Sequence, residues 1–150
     1  MAVIRSITAA EARPLRHAVL RPGLPPETTL YPGDDDADSF HAGAFVAGAL
    51  VGVATLHHKP PPGEADAGAW QLRGMAVAPE QQGRGLGRAL AQACGQAAAA
   101  RGGTRLWCNG RVSALGFYRS LGFEPVGEVF QLPHSGPHYL LVLRLDQRAD

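Results

Sequence analysis

The chain has 150 residues, a length that is most simply a single domain with its own core over residues 1–150. Hydrophobic residues make up 45% of it and charged residues 18%, which excludes an intrinsically disordered chain. The 14 Lys and Arg against 13 Asp and Glu leave a formal net charge of +1. Such a balance gives no basic footprint, so we expect no nucleic-acid partner.

The N-terminal stretch has neither a long apolar run nor a cleavage site of small residues, so we predict no signal peptide. No segment approaches the roughly 20 apolar residues that cross a bilayer, so we expect a cytoplasmic protein without a membrane partner. Cys94 and Cys108 are too far apart for a CxxC motif, and we interpret them as buried free thiols. His134 and His138 flank Ser-Gly-Pro in a predicted turn, and we expect no metal site.

The first predicted elements are a short strand over Val3–Ile7 and a helix. Thr8 and Glu11 have the spacing of a capping box, so the helix begins at Ala9. The helix prediction is strongest over Pro14–Leu20, because proline is favourable at the first position of a helix.

Residues 21–39 then predict a loop that ends near the acidic run 34–36. The apolar runs Ala42–Val46 and Ala49–Leu56 follow, separated by Ala47-Gly48, and they predict an antiparallel hairpin. Residues 57–68 form a proline-rich excursion that we expect to be exposed.

The next strand is predicted over Trp70–Val77 and stops at Pro79. Apolar residues from Leu86 to Ala98 follow at helical spacing, until Gly102 ends the pattern. The remaining elements are a strand, a short helix and two strands, over Thr104–Cys108, Val112–Leu121, Val126–Leu132 and Tyr139–Leu145. The order β-α-β-β-β-α-β-α-β-β predicts a mixed α/β sheet domain without a repeat or linker.

One stretch, PEQQGRGLGRAL over residues 79–90, places Gly83, Gly85 and Gly87 at alternate positions before a helix. The first turn of a helix has free N–H groups and the positive end of the helix dipole. Glycine there lets a phosphate reach the backbone without meeting a Cβ. Arg84 and Arg88 add positive charge, so the pattern favours an anion site that fits a diphosphate.

Three phosphate motifs compete for this stretch. A Walker A loop needs a lysine and a hydroxyl residue where the chain has Arg88 and Ala89. A Rossmann fingerprint needs G-x-G-x-x-G, and the chain has no glycine at the last of these positions. The pattern Q-x-x-G-x-G matches residues 82–87. A sharp strand-to-helix turn without a ligand is the alternative interpretation.

The longer stretch MAVAPEQQGRGLGRAL resembles motif A of the GNAT superfamily, the acyl-CoA-dependent N-acyltransferases. The predicted element order is also that of the superfamily, so the resemblance extends over the whole chain. It implies a splayed central sheet, acetyl-CoA as co-substrate, and a turn whose amides cradle the cofactor pyrophosphate. The implied binding residues are Gln82, Gly83, Arg84, Gly85, Leu86, Gly87 and Arg88.

A second stretch, RLWCNGRVSALGFYRSLGF, resembles the superfamily's other cofactor segment. The resemblance implies that Asn109 contacts the cofactor arm and that Tyr118 lies near the thioester sulfur. A phenol there can donate a proton to the departing thiolate, and a core tyrosine is the alternative interpretation. The resemblance also implies that backbone atoms of the fourth strand hold the thioester, and these belong to Met75, Ala76 and Val77. Gly74 would ease a bulge in this strand, with a simple packing gap as the alternative.

The sequence does not identify the general base or the acceptor. The fourth strand offers no carboxylate, so the candidates are His41, His57, His58 and a preferred water relay. We expect the acidic run 34–36 to be a solvated loop, although it could attract a cationic amine.

The expected acceptor is a small primary amine, with a peptide N-terminus as an alternative. A silent acyl-CoA-binding module is the rival function. The choice between acetyl and longer acyl groups, and between monomer and homodimer, is also open.

Overall fold

The computed structural model describes residues 2–133 and 135–145. Its helices are α1 (Ala9–Leu20), α2 (Leu86–Ala100) and α3 (Leu115–Ser120). Its strands are β1 (Ala2–Ser6), β2 (Phe40–Val46), β3 (Ala49–His57), β4 (Ala69–Val77), β5 (Arg105–Arg111), β6 (Glu124–Leu132) and β7 (Gly136–Arg144). The strands form a mixed sheet in the order β1-β2-β3-β4-β5-β7-β6. The predicted fold class and element order are confirmed.

The described chain divides into two compact units. The first combines the chain up to His58 with Leu72–Ala97, and the second combines Lys59–Gln71 with the chain from Ala98 onward. The expectation of one domain over residues 1–150 stays a prediction.

In the first unit, β1 pairs with β2 and β2 with β3, both antiparallel. The β2–β3 turn has positive φ at Ala47 and Gly48, +52° and +83°, as a tight hairpin turn requires. Helix α1 begins where the sequence predicts, because Thr8 Oγ1 accepts from the Glu11 N–H and Glu11 accepts from the Thr8 N–H. Pro14 lies inside this helix rather than at its start.

In the second unit, β5 pairs in parallel with the start of β4, from Ala69 with Arg105 to Gln71 with Trp107. Strand β7 lies between β5 and β6 and is antiparallel to both. Side chains buried here include Trp107, Phe123 and Leu141.

The proline-rich excursion is held more firmly than the sequence predicts. Trp107 Nε1 donates to the Lys59 carbonyl at 2.7 Å, and Arg105 pairs with Glu64 and Asp66. Pro61 is buried, so the expectation of an exposed excursion is wrong for this residue.

The two cysteines are free and buried, as predicted. Burial raises the pKa of each thiol, Cys94 and Cys108, to about 12. Neither thiol is therefore ionised near neutral pH, and both act as small apolar side chains.

Candidate active site

The glycine row forms the turn between β4 and α2. A short 3₁₀ segment covers Pro79–Gln81 after β4 ends, and α2 begins at Leu86. Gly83 and Gly85 have φ angles of +82° and +81°, in the left-handed region that glycine adopts without strain. A Cβ built on either residue meets no atom within 4 Å. The turn therefore presents its backbone to open space.

Gly87 needs a different explanation, because it lies in the first turn of α2 and has no positive φ. Glycine within a helix costs about 1 kcal/mol relative to alanine. The Ala89 N–H donates to the Gly85 carbonyl at 3.1 Å, whereas the amides of Leu86 and Gly87, at the start of the helix, have no preceding helical carbonyl to reach. The missing side chain at Gly87 leaves these amides approachable, which favours close approach by a ligand over a mere sharp turn.

Charged and polar side chains complete this turn. Arg84 and Arg88 are exposed beside the positive end of the α2 dipole, an arrangement that attracts anions. Gln82 Nε2 donates to the Val77 carbonyl at 3.0 Å and so ties the turn to the end of β4.

Strand β4 has a kink at Gly74, whose φ is +63°. A Cβ there would lie 3.0 Å from Tyr31 Cε2 and 3.1 Å from Arg16 Nε. The predicted bulge at Gly74 stays a prediction, whereas the positive φ and the close packing both require glycine. The next residues are half-buried Met75, buried Ala76 and half-buried Val77.

In the second unit, Tyr118 lies half-buried on α3, and its ring centroid is 5.6 Å from that of Phe123, edge to face. No described residue forms a hydrogen bond with its hydroxyl, which is therefore available as a donor. Burial raises the pKa of the Tyr118 phenol above 10.0, Cys108 raises it further and Arg111 opposes the shift. Asn109 is exposed on β5, opposite Leu140 of β7.

The acidic run does not behave as one solvated loop. Asp34 is 4% exposed, and its Oδ2 lies 2.7 Å from Nη1 of fully buried Arg16. Arg16 also donates to the Thr29 carbonyl and the Thr55 hydroxyl, each at 2.7 Å. The prediction of a solvated loop is wrong for Asp34, whereas the exposed acidic residues agree with it: Asp35, Asp36 and Asp38.

Asp34 is held in its ionised form. Burial by itself would raise the pKa of this carboxyl group, but hydrogen bonds from His57 and Arg16 outweigh it. The net result is a pKa well below the usual range for aspartate.

The histidines are less alike than the sequence suggests. His41 and His57 are buried in β2 and β3. His41 engages both ring nitrogens, with the Thr55 hydroxyl at 2.8 Å and the Asp34 carbonyl at 2.9 Å. His57 Nε2 lies 3.0 Å from Asp34 Oδ1, and its buried Nδ1 has no partner among the described residues. His58 is exposed and pairs with Asp38 at 3.0 Å.

Tyr31 lies between two guanidinium groups. The Cζ atoms of Arg16 and Arg73 are each 3.9 Å from its ring centroid. Two guanidinium groups cannot share one face at that distance, so they cover opposite faces. Burial lowers the pKa of half-buried Arg73, Tyr31 and Asp34 oppose this shift, and Arg16 and Arg21 lower the pKa further.

Sequence reasoning missed Arg16, Tyr31 and Arg73. One signal was available, because the buried positions of α1 are Ala9, Ala12 and Arg16, which places a charge on the apolar face of the helix. A tyrosine in a loop and an arginine in a strand carry no comparable signal.

No group of three or more His, Cys, Asp or Glu side chains in residues 2–133 and 135–145 could hold a metal ion. No helix in that part of the chain is long and apolar enough to cross a membrane. His134, expected in a turn, lies outside the described residues.

Comparison with known families decides the class of protein. The sequence model described as the Acetyltransferase (GNAT) family matches residues 6–123, a span that contains the glycine turn, β4, Asn109 and Tyr118. The chain belongs to the GNAT acetyltransferase family. This GNAT protein is an acetyl-CoA-dependent acyltransferase, and acetyl-CoA is its co-substrate.

Individual relatives agree with that assignment. The chain is 31% identical over 141 residues to the Bacillus subtilis (strain 168) protein named Uncharacterized N-acetyltransferase YitI, covering 94% of this chain and 95% of YitI. Its fold is similar to the ribosomal-protein-S18-alanine N-acetyltransferase from Escherichia coli, with a TM-score of 0.76 and 19% identity over 100% and 97% of the chains. It is also similar to yncA from Salmonella typhimurium with its cofactor acetyl-CoA, with a TM-score of 0.75 and 19% identity over 100% and 97%.

Proposed function

We propose that this GNAT protein transfers the acetyl group of acetyl-CoA to a primary amine of a small molecule, which attacks the thioester directly. The N–C bond forms and the C–S bond breaks. The ammonium group loses one proton to become the attacking amine and loses a second after the N–C bond forms. The departing sulfur takes up one proton from solvent, so one proton is released overall. The residues of the chain have four tasks: to bind, to position, to accept a proton and to donate one.

Binding is the task of the turn between β4 and α2. Its residues fit a diphosphate, because Gly83 and Gly85 face open space and Gly87 leaves the first helical amides uncovered. Arg84 and Arg88 add positive charge at the same helix end. When bound there, acetyl-CoA supplies the activated acetyl group. This turn is the observation that carries the proposal.

Positioning is assigned to β4 and Asn109. The kink at Gly74 interrupts regular strand geometry just before Met75, Ala76 and Val77, so backbone groups there can turn toward a ligand rather than a neighbouring strand. The Val77 carbonyl already accepts from Gln82. The exposed amide of Asn109 is free to contact the pantetheine arm from β5.

Proton acceptance is assigned to His57. Its Nε2–H donates to the Asp34 carboxylate, so Nδ1 keeps its lone pair and has no partner among the described residues. His41 uses both nitrogens in hydrogen bonds, and His58 is an exposed partner of Asp38. Because Nδ1 is buried, a water molecule would relay the proton from the amine.

Proton donation is assigned to Tyr118. Its hydroxyl is uncommitted, and its raised pKa keeps the phenol protonated throughout the working pH range. A thiol has a pKa of about 8.5, so full transfer from the phenol is uphill. Tyr118 therefore acts as a hydrogen-bond donor to the departing sulfur, with the net proton drawn from solvent.

The test is transfer of labelled acetyl-CoA across a panel of small amines, amino acids and short peptides. We expect transfer to small primary amines and the release of free thiol in equal amounts. A folded protein that binds coenzyme A in calorimetry but acetylates no amine would overturn the proposal. Transfer to peptide N-termini alone would replace the small-molecule acceptor.

A further inference from the structure

Charge around Tyr31 is unbalanced. Arg16 forms an ion pair with buried Asp34. Arg13 lies 3.7 Å from Asp34 and 3.8 Å from Asp35. Arg73, in contrast, stacks on Tyr31 and has no carboxylate partner among the described residues. Charges removed from water are normally paired, so an unpaired half-buried guanidinium is the exception that needs an explanation.

Arg73 is also held in a fixed position. Tyr31 supports one side of its planar guanidinium group, and Tyr31 is itself backed by Arg16 on the opposite face. Arg16 cannot move freely, because it is fully buried and makes three hydrogen bonds at 2.7 Å. A stacked guanidinium of this kind keeps the edge that binds a carboxylate in two parallel hydrogen bonds.

The location connects this group with the reaction. Arg73 directly precedes the kink at Gly74, and a strand rises about 3.3 Å per residue. The Cα atoms of Arg73 and Met75 are therefore within about 7 Å of each other along the strand. Met75 is the first residue of the backbone that is proposed to hold the thioester. An anionic group held by Arg73 would therefore lie near this backbone.

We infer that Arg73 binds a carboxylate of the acceptor, so that the amine substrate is an amino acid or a related amine that carries a carboxylate. This inference rests on the proposed function and narrows its acceptor. It also argues against the alternative that Asp34 attracts a cationic amine, because the carboxylate of Asp34 is already paired with Arg16.

The experiment compares L-amino acids with the matching L-amino-acid amides as acceptors. In the wild type, kcat/KM should be at least about tenfold higher for the carboxylates than for the amides, because charge-assisted hydrogen bonds are lost with the charge. Arg73→Gln should raise KM for the carboxylates by about tenfold or more and leave the amides little changed. Arg73→Lys should recover only part of the preference, because it keeps the charge but not the fork.

Arg21→Gln is the matched control. It removes the same charge close enough to influence Arg73, but Arg21 donates to the Leu20 carbonyl and takes no part in the Tyr31 stack. Its KM for carboxylates should stay within about twofold of the wild type, since Arg21 lies outside the Tyr31 stack and its charge acts only through a screened field.

Three results would overturn the inference. They are equal kcat/KM for carboxylates and amides in the wild type, equal effects of the Arg73 and Arg21 variants, and an Arg73→Gln effect that is the same for both acceptor types. The wild-type comparison decides the matter even if a variant fails to fold. Transfer to amines without a carboxylate preference contradicts this inference alone, whereas no transfer to any amine contradicts the proposed function as well.

Discussion

The ring of Tyr118 lies directly against the backbone of Gly110. A Cβ built on Gly110 would lie 2.9 Å from Tyr118 Cε2 and 2.5 Å from Leu141 Cδ1. Both distances are far below the roughly 3.5–4.0 Å at which carbon atoms pack. Since Gly110 lies in a regular strand, its absent side chain is what lets the tyrosine ring occupy this place.

Gly110→Ala should therefore move the Tyr118 ring and lower kcat by about tenfold to a hundredfold, because small misplacements of reacting groups are costly. Steady-state kinetics on folded protein measures this. Gly116→Ala is the control. Gly116 lies on helix α3, and a Cβ built there meets no atom within 4 Å. Equal losses in the two variants would show that the position of the ring is unimportant.

Tyr118→Phe keeps the ring and its packing against Phe123 but removes the hydroxyl. Loss of a general acid costs about 10²–10⁴ in rate, and loss of a donor that only hydrogen-bonds should cost less than a full general acid. We expect kcat to drop at least about tenfold, with little change in KM for acetyl-CoA. The loss should shrink above a pH of about 8.5, where free thiolate is a tolerable product. Wild-type turnover in the variant would make Tyr118 a core residue.

Gly87→Glu tests the amide cradle without the strain that any side chain would meet at Gly83 or Gly85. It places a carboxylate where a diphosphate would approach, so coenzyme A affinity should fall by more than about tenfold. Gln92→Glu adds the same charge at an exposed position farther along α2 and should leave affinity unchanged. Calorimetry that shows unchanged binding by a folded Gly87→Glu protein would remove this turn from the binding site.

Arg84→Ala and Arg88→Ala should weaken coenzyme A binding less than Gly87→Glu does. Both side chains are exposed, so they act through a field that salt screens, whereas backbone amides act at contact. The deficit should be larger at low ionic strength than at high, which calorimetry at two salt concentrations measures. The amide cradle would be the wrong mechanism if either arginine abolished binding while Gly87→Glu did not.

Asp34→Asn leaves the Arg16 charge buried and uncompensated, which costs about 3–5 kcal/mol of the free energy of unfolding. The pKa of Asp34 in the folded state lies below the unfolded value of 3.8, so the stabilisation is present above that pH and is lost as pH falls further. Between pH 7 and pH 3, urea unfolding should show a larger loss in the free energy of unfolding for the wild type than for Asp34→Asn, because only the wild type protonates this carboxyl group in its unfolded state. Asp36→Asn, at an exposed position, should behave as the wild type in both conditions.

Local rules were enough to predict the elements. The capping box at Thr8, the hairpin turn at Gly48 and the glycine turn before α2 all depend on residues close in sequence, and all are found where predicted. The buried network was not predictable in this way. Arg16 meets Thr55 across 39 positions of sequence, and His57 meets Asp34 across 23. Only the register of β2 with β3 and the packing of α1 bring those partners together, so Asp34 looked like an ordinary loop residue.

Each compact unit is assembled from two separated stretches of chain, and this division determines when each unit can fold during synthesis on the ribosome. The Lys59–Gln71 stretch cannot form its contacts until β5 has been made, because Arg105 and Trp107 provide its partners. Chain elongation adds about 5–20 residues per second, so several seconds pass between the synthesis of Lys59–Gln71 and that of the β5 residues that contact it. For the same reason, a truncated gene that stops after His58 would encode neither unit complete.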